Sequence, residues 1–184
     1  MKILFASDIH GSYTALEAVL QRLEMERADR WFLLGDTLYH GPRNDLPDRY
    51  APKEVFARLN AYERKPLCVR GNCDAEIDQM VLDFPIMADY ALLPLENGHC
   101  AFVTHGHLYN AQNPPPLQAG DVLIHGHTHV HCVSPQNGYT YLNPGSAALP
   151  KENQPKSYMI YEAGVFTIKR LDDGAPLAEY RMPA

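Results

Sequence analysis

Lys2-Ile3-Leu4-Phe5-Ala6-Ser7-Asp8-Ile9-His10-Gly11 opens the chain with an apolar run that stops at a carboxylate, an imidazole and a glycine. The run Lys2–Ser7 has the length of a buried strand. From Ser12 to Met25 the apolar residues Leu16, Val19, Leu20 and Leu23 recur at i, i+3, i+4 and i+7, the stripe of an amphipathic helix. Ser12 or Thr14 can cap it, and Glu17 stands three residues after Thr14, as a capping box requires. Trp31–Leu34 reads as a second strand, and a loop rich in Gly, Pro and Asn runs from Gly35 to Ala51. Pro52 suits the first position of a helix whose stripe is Val55, Phe56, Leu59 and Tyr62, and Leu67–Val69 is a third strand. Strand, helix, strand, helix, strand predicts a parallel α/β unit with right-handed crossovers.

The second half changes character. Short apolar runs at Ala88–Leu95, Cys100–Thr104, Val122–Ile124, Thr140–Leu142, Tyr158–Tyr161 and Val165–Ile168 are divided by Asn97-Gly98, Asn137-Gly138 and Ala163-Gly164. These are strands and hairpins. Two sheets packed face to face with helices outside are expected. No low-complexity linker or internal repeat divides residues 1–184, so a single domain is expected. The tract Asn113-Pro114-Pro115-Pro116 reads as a rigid surface loop.

A net charge of −6 argues against a general nucleic-acid binder, which needs a basic stripe. No apolar run approaches the roughly 20 residues that span a bilayer. Asp8 and His10 interrupt the first run too early for a signal peptide, and a cytoplasmic protein without membrane contact is expected. Cys68, Cys73, Cys100 and Cys132 form no C-x-x-C pair, so free thiols are expected.

Candidate ligands lie beside glycines at strand ends. Asp8 and His10 follow the first strand and point to one side if the backbone stays extended. Gly35-Asp36 follows the second, and Arg70-Gly71-Asn72-Cys73-Asp74 the third. Thr104-His105-Gly106-His107 and His125-Gly126-His127-Thr128-His129 each end an apolar run. Six of the nine histidines fall between 105 and 131, a clustering that a solvated surface does not explain. Residues 125, 127 and 129 share a face on an extended chain. Together these groups would place oxygen and imidazole ligands at one end of a sheet, where two cations about 3.5–4 Å apart share a carboxylate. Asn143-Pro144-Gly145-Ser146 reads as a turn, and the segments Tyr39–Tyr50 and Leu108–Leu117 are expected to shape the pocket.

The order D-x-H, G-D, G-N-x-D, H-G, G-H-x-H over residues 8 to 129 resembles the calcineurin-like metallophosphoesterases. The resemblance implies a four-layer αββα fold, a two-sheet sandwich flanked by helices. It implies that one divalent cation takes Asp8, His10, Asp36 and His129, and the other Asp36, Asn72, His105 and His127. Manganese is favoured, with iron, zinc, nickel, cobalt or magnesium as alternatives. The implied activity is hydrolysis of a small phosphodiester by in-line attack of a metal-bridging hydroxide. A phosphomonoesterase or pyrophosphohydrolase on the same scaffold is the alternative, and a non-catalytic interaction scaffold is a third. Homo-oligomers are open.

One position departs from the family pattern. After the Gly-Asn pair, where many relatives carry a phosphate-contacting histidine, stands Cys73, with Asp74, the acid that usually orients that histidine, retained. A thiol is a weak donor, and beside two cations it can sit as thiolate; an extra metal ligand or a merely tolerated small residue are the other readings of Cys73. Diesters with good leaving groups are then favoured, and Cys73→His is expected to raise turnover of poorer ones. Arg70 offers either a phosphate contact or a solvated side chain at a strand end, and His107, beside a candidate ligand, offers either support to it or a structural place.

Overall fold

The computed structural model describes residues 1–183. Eleven strands and three α-helices follow in the order β1 (Lys2–Ala6), α1 (Tyr13–Met25), β2 (Arg30–Leu33), α2 (Pro52–Ala61), β3 (Leu67–Cys68), α3 (Glu76–Gln79), β4 (Tyr90–Pro94), β5 (Cys100–Thr104), β6 (Val122–Ile124), β7 (Cys132–Pro135), β8 (Thr140–Asn143), β9 (Ser157–Glu162), β10 (Val165–Arg170) and β11 (Pro176–Arg181). The first sheet has the order β11-β10-β9-β1-β2-β3 and the second β4-β5-β6-β8-β7. Strands β1, β2 and β3 are parallel, as expected from their helical crossovers. Strands β5, β6 and β8 are also parallel. No helix among the described residues is long and apolar enough to cross a membrane.

The alternation of side chains along each strand decides which layer it feeds. Ile3 and Phe5 of β1, Phe32 of β2 and Met159 and Tyr161 of β9 meet Val103, Val122, Ile124 and Leu142 between the sheets. Their neighbours Leu4, Ala6, Trp31, Leu33, Tyr158 and Ile160 face the other way, against Leu16, Val19, Leu20 and Leu23 of α1 and Val55 and Leu59 of α2. The helices therefore flank the first sheet. On the outer face of the second, Phe102, Leu123 and Tyr141 pack against Tyr109, Ala111 and Leu117. The latter three belong to a loop whose asparagines and prolines do not sustain a helix. The segment Leu108–Leu117 thus covers this sheet and lines neither cavity beside the candidate ligands, which corrects the expectation that it shapes the pocket.

Local signals were met with small shifts. Ser12 caps α1, its hydroxyl accepting from the Ala15 amide at 3.2 Å. Glu17 closes no capping box and instead pairs with Arg58 of α2 at 2.6 Å. Pro52 opens α2 as expected. All four cysteines are free.

Candidate metal centre

Asp8 and His10 follow β1, Asp36 follows β2 and Asn72 follows β3, all at the C-terminal ends of parallel strands. His105 follows β5, and His127 and His129 follow β6, so the second sheet delivers its groups to the same place. The backbone that carries them is not extended. Asp8, His10, Asp36, His127 and His129 have φ of 58°, 50°, 53°, 64° and 63°. This corrects the expectation that Asp8 and His10, or His127 and His129, project together from an extended chain. Left-handed backbone is costly for residues with a Cβ, and here it gathers where the polar groups meet.

The side chains converge closely. The Nε2 atoms of His10 and His129 lie 3.1 Å apart. Asp8 Oδ1 is 3.6 Å from His10 Nε2 and 3.3 Å from His129 Nε2. Asp36 Oδ2 stands between two histidines, 3.7 Å from His10 Nε2 and 3.5 Å from His105 Nε2. His105 Nε2 is 3.1 Å from Asn72 Oδ1 and 3.2 Å from His127 Nδ1. Asp8, His10, His105 and His129 are almost wholly buried.

Hydrogen bonds on the far side of these groups fix their orientation. His10, His105 and His129 each donate from Nδ1 to a main-chain carbonyl, of Tyr39 (2.8 Å), Leu34 (2.6 Å) and Leu149 (2.6 Å). In the neutral tautomer all three Nε2 lone pairs then face inward, where they repel one another unless a cation lies between them. Asp8 Oδ2 accepts from the Ser7 hydroxyl at 2.6 Å and the His127 amide at 3.0 Å, while its buried Oδ1 has no hydrogen-bond partner. A buried, unpartnered carboxylate oxygen facing bare imidazole nitrogens fits a divalent cation.

The electrostatics agree. Burial pulls the Asp8 carboxyl up, but His10 and His129 outweigh it and hold the group well below its ordinary range. Burial pulls His105 down, and the carboxylates of Asp36 and Asp8 reverse that, lifting it to about 9. His10 is raised in the same way against its own desolvation, chiefly by Asp8. Without cations, protons serve as the positive charge that these groups demand. His125 is different: burial lowers it to about 4, and its ring stacks on Tyr141 at 4.2 Å, a structural role.

Other expected residues fall elsewhere. Asp74 does not face the Cys73 thiol. Its carboxylate accepts from the amides of Asp36 (2.9 Å), Thr37 (2.9 Å) and Gly71 (2.7 Å), tying two of the loops together. Arg70 lies outside the cavity wall, with Nη2 at 3.7 Å from Glu76 and Nε donating to the Asp74 carbonyl at 3.3 Å. Cys73 does reach the site, within 4.8 Å of His10 and Asp36 ligand atoms. The thiolate reading is not favoured by the protein alone, since burial and the Asp36 carboxylate push the thiol up to about 12. His107 packs its ring 5.4 Å from that of His105 without hydrogen-bonding it.

Sequence reading missed the cationic wall of the site. A cavity of about 400 Å³ opens over the cluster, and its wall includes Arg43 and Lys151, which have no carboxylate partner among the described residues. Asn143 is buried and donates from Nδ2 to Gly126 O (2.9 Å) and Thr128 Oγ1 (3.0 Å), while Ser146 donates to Asp8 O (2.9 Å). The Asn143–Ser146 turn therefore braces both the loop that carries Asp8 and the loop that carries His127 and His129.

A two-sheet sandwich with acids, an amide and histidines at one end defines a metallophosphoesterase, and the chain belongs to the calcineurin-like phosphoesterase superfamily, whose domain model matches residues 1–164. It is 45% identical over 179 residues to the phosphodiesterase YfcE of Escherichia coli K12, covering 97% of both chains. The solved structure of the E. coli phosphoesterase YfcE superposes with a TM-score of 0.95 at 44% identity, over 100% of each chain. The probable metallophosphoesterase YsnB of Bacillus subtilis strain 168 is 28% identical over 167 residues, 87% of this chain and 83% of its own. Zinc-complexed Vps29 of Entamoeba histolytica shares the fold alone, with a TM-score of 0.61 and 21% identity over 98% of this chain and 99% of that one.

Proposed function

We propose that this protein is a phosphodiesterase working with two divalent cations. The observation that carries the reading is the inward convergence of the His10 and His129 Nε2 atoms on the unpartnered Asp8 Oδ1, beside an Asp36 Oδ2 that stands between His10 and His105. Asp8, His10, Asp36 and His129 would hold one cation, and Asp36, Asn72, His105 and His127 the other, with Asp36 shared. Manganese is the favoured ion, although mixed oxygen and nitrogen donors suit several. Bound cations supply an acidified water and neutralise phosphate charge.

The chain's own groups do the positioning. Main-chain carbonyls set the three imidazole tautomers, and Asp74 fixes the Asp36 and Asn72 loops. Arg43 and Lys151 on the wall attract an anionic ester. Cys73, a protonated thiol in the metal-free protein, is a weak donor to a leaving oxygen, which favours diesters with stable leaving groups.

The test is hydrolysis of bis(4-nitrophenyl) phosphate beside 4-nitrophenyl phosphate, after chelation and again after adding manganese. Diester turnover should return with manganese, exceed that of the monoester, and vanish in Asp36→Ala. Elemental analysis should find two ions per chain. Turnover indifferent to chelation, or a preference for the monoester, would refute the reading.

A further inference from the structure

A second cavity, of about 500 Å³, adjoins the metal centre, and Cys73 lines both. The two differ in chemistry. The metal-centre cavity is walled by Asp36, His127, His129, Arg43 and Lys151. The second is walled mostly by apolar and aromatic side chains, Tyr39, Tyr50, Phe56 and Ile77 among them, with Lys53 and Asp78 as its charged members. It lies between the loop after β2, the first turn of α2, and α3 with the residues after it. Tyr39 is 42% and Ile77 63% exposed, so large apolar surface is left open next to a polar site.

The wall is built firmly. The His40 ring stands edge-on between Tyr39 (4.8 Å) and Tyr50 (5.1 Å). Tyr50 pairs its backbone with Ser12, and its ring occupies the space that a Cβ on Gly11 would need, 2.6 Å away. The rings are thus tied to the same turn that carries His10. Ligand sites are typically apolar clefts with a few polar groups at one side, and this pair of cavities has that form.

We propose that the second cavity is a subsite for a planar, apolar ester arm, so that the substrate is a phosphodiester with at least one aromatic substituent. The inference rests on the two-cation reading of the adjoining site. With the phosphoryl group at the metal centre, an arm passing Cys73, whose side chain has one heavy atom beyond Cβ, enters between Tyr39, Tyr50, Phe56 and Ile77. The substituent then buries its faces against aromatic and aliphatic carbon while the phosphate stays among the charged groups.

Calorimetric titration of the manganese-loaded protein with phenyl phosphate and with methyl phosphate tests this without relying on turnover. Phenyl phosphate should bind on the order of tenfold more tightly, from the additional apolar area removed from water. Ile77→Asp, at an exposed position that does not endanger folding, should bring the ratio of the two affinities close to one. Equal affinities in the unaltered protein, a preference that survives Ile77→Asp, or binding of neither phosphate would overturn the subsite. Diester hydrolysis without a phenyl preference discards the subsite and keeps the phosphodiesterase. A phenyl preference without diester hydrolysis keeps the aromatic subsite and discards the phosphodiester as its substrate.

Discussion

Gly71 shows how tightly residue identity is constrained at the site. A Cβ there would lie 2.1 Å from Asp36 Oδ1 and 2.3 Å from the Asp36 amide, so backbone must pass where any side chain would stand. Gly71→Ala should displace the Asp36 carboxylate and weaken manganese binding about 10–100-fold, as loss of ligand support typically does, which calorimetric titration would measure. Proton linkage gives a second expectation. His105 in the metal-free protein titrates at about 9, above the usual 6.5 of histidine. The stabilisation from its proton is complete below about 6.5 and is lost as pH rises through about 9. Thermal midpoints of chelator-treated protein should therefore fall over that window, and His105→Gln should flatten the fall. Cation binding runs oppositely, because the ion displaces that proton: manganese affinity should rise across the same interval. Affinity independent of pH from 6.5 to 9 would contradict the ligand role of His105.

The Asn143–Ser146 turn acts at the scale of the element. Asn143 spans the loop after β6, and Ser146 holds the carbonyl of Asp8 after β1, so one turn sets the distance between groups from two sheets. Asn143→Ala leaves the Gly126 carbonyl and Thr128 hydroxyl without that donor, at a cost of ~1–3 kcal/mol. Urea unfolding of metal-free protein should register it, and manganese should bind more weakly. An unchanged affinity would mean that the loop holds its shape unaided. Elements like this were the least legible in the sequence. Strands β1, β2 and β3 and helices α1 and α2 were readable because burial imposes a period on Leu16, Val19, Leu20 and Leu23 and on the apolar runs. The strands β7 and β11 were missed because they lie at sheet edges and are only half-buried, which leaves no continuous apolar run. The ligand-type residues announced themselves by chemistry and by glycine neighbours. Their left-handed backbone, the Asp74 clamp and the cationic pair Arg43 and Lys151 did not, since loop residues without periodicity are placed only by tertiary contacts.

Across the whole molecule, the cluster lies where two independently patterned sheets meet. The first sheet contributes Asp8, His10, Asp36 and Asn72, and the second His105, His127 and His129. Cations seated there would bridge the sandwich at the same end at which His105 crosses to the Leu34 carbonyl and His127 to Asp8. Binding to the native chain alone stabilises it by ~2.7 kcal/mol when the free ion stands at 100 times its dissociation constant. For a domain of this size each kcal/mol moves the midpoint by about 2–4 °C, so manganese should raise it by on the order of 5–10 °C over chelator-treated protein. The gain should depend on both sheets. Asp36→Ala and His127→Ala change opposite halves of the sandwich, yet each should remove most of the shift, and the double variant should lose little more than either. Losses that simply add would mean that the two sheets bind cations separately, and the single shared centre would have to be given up.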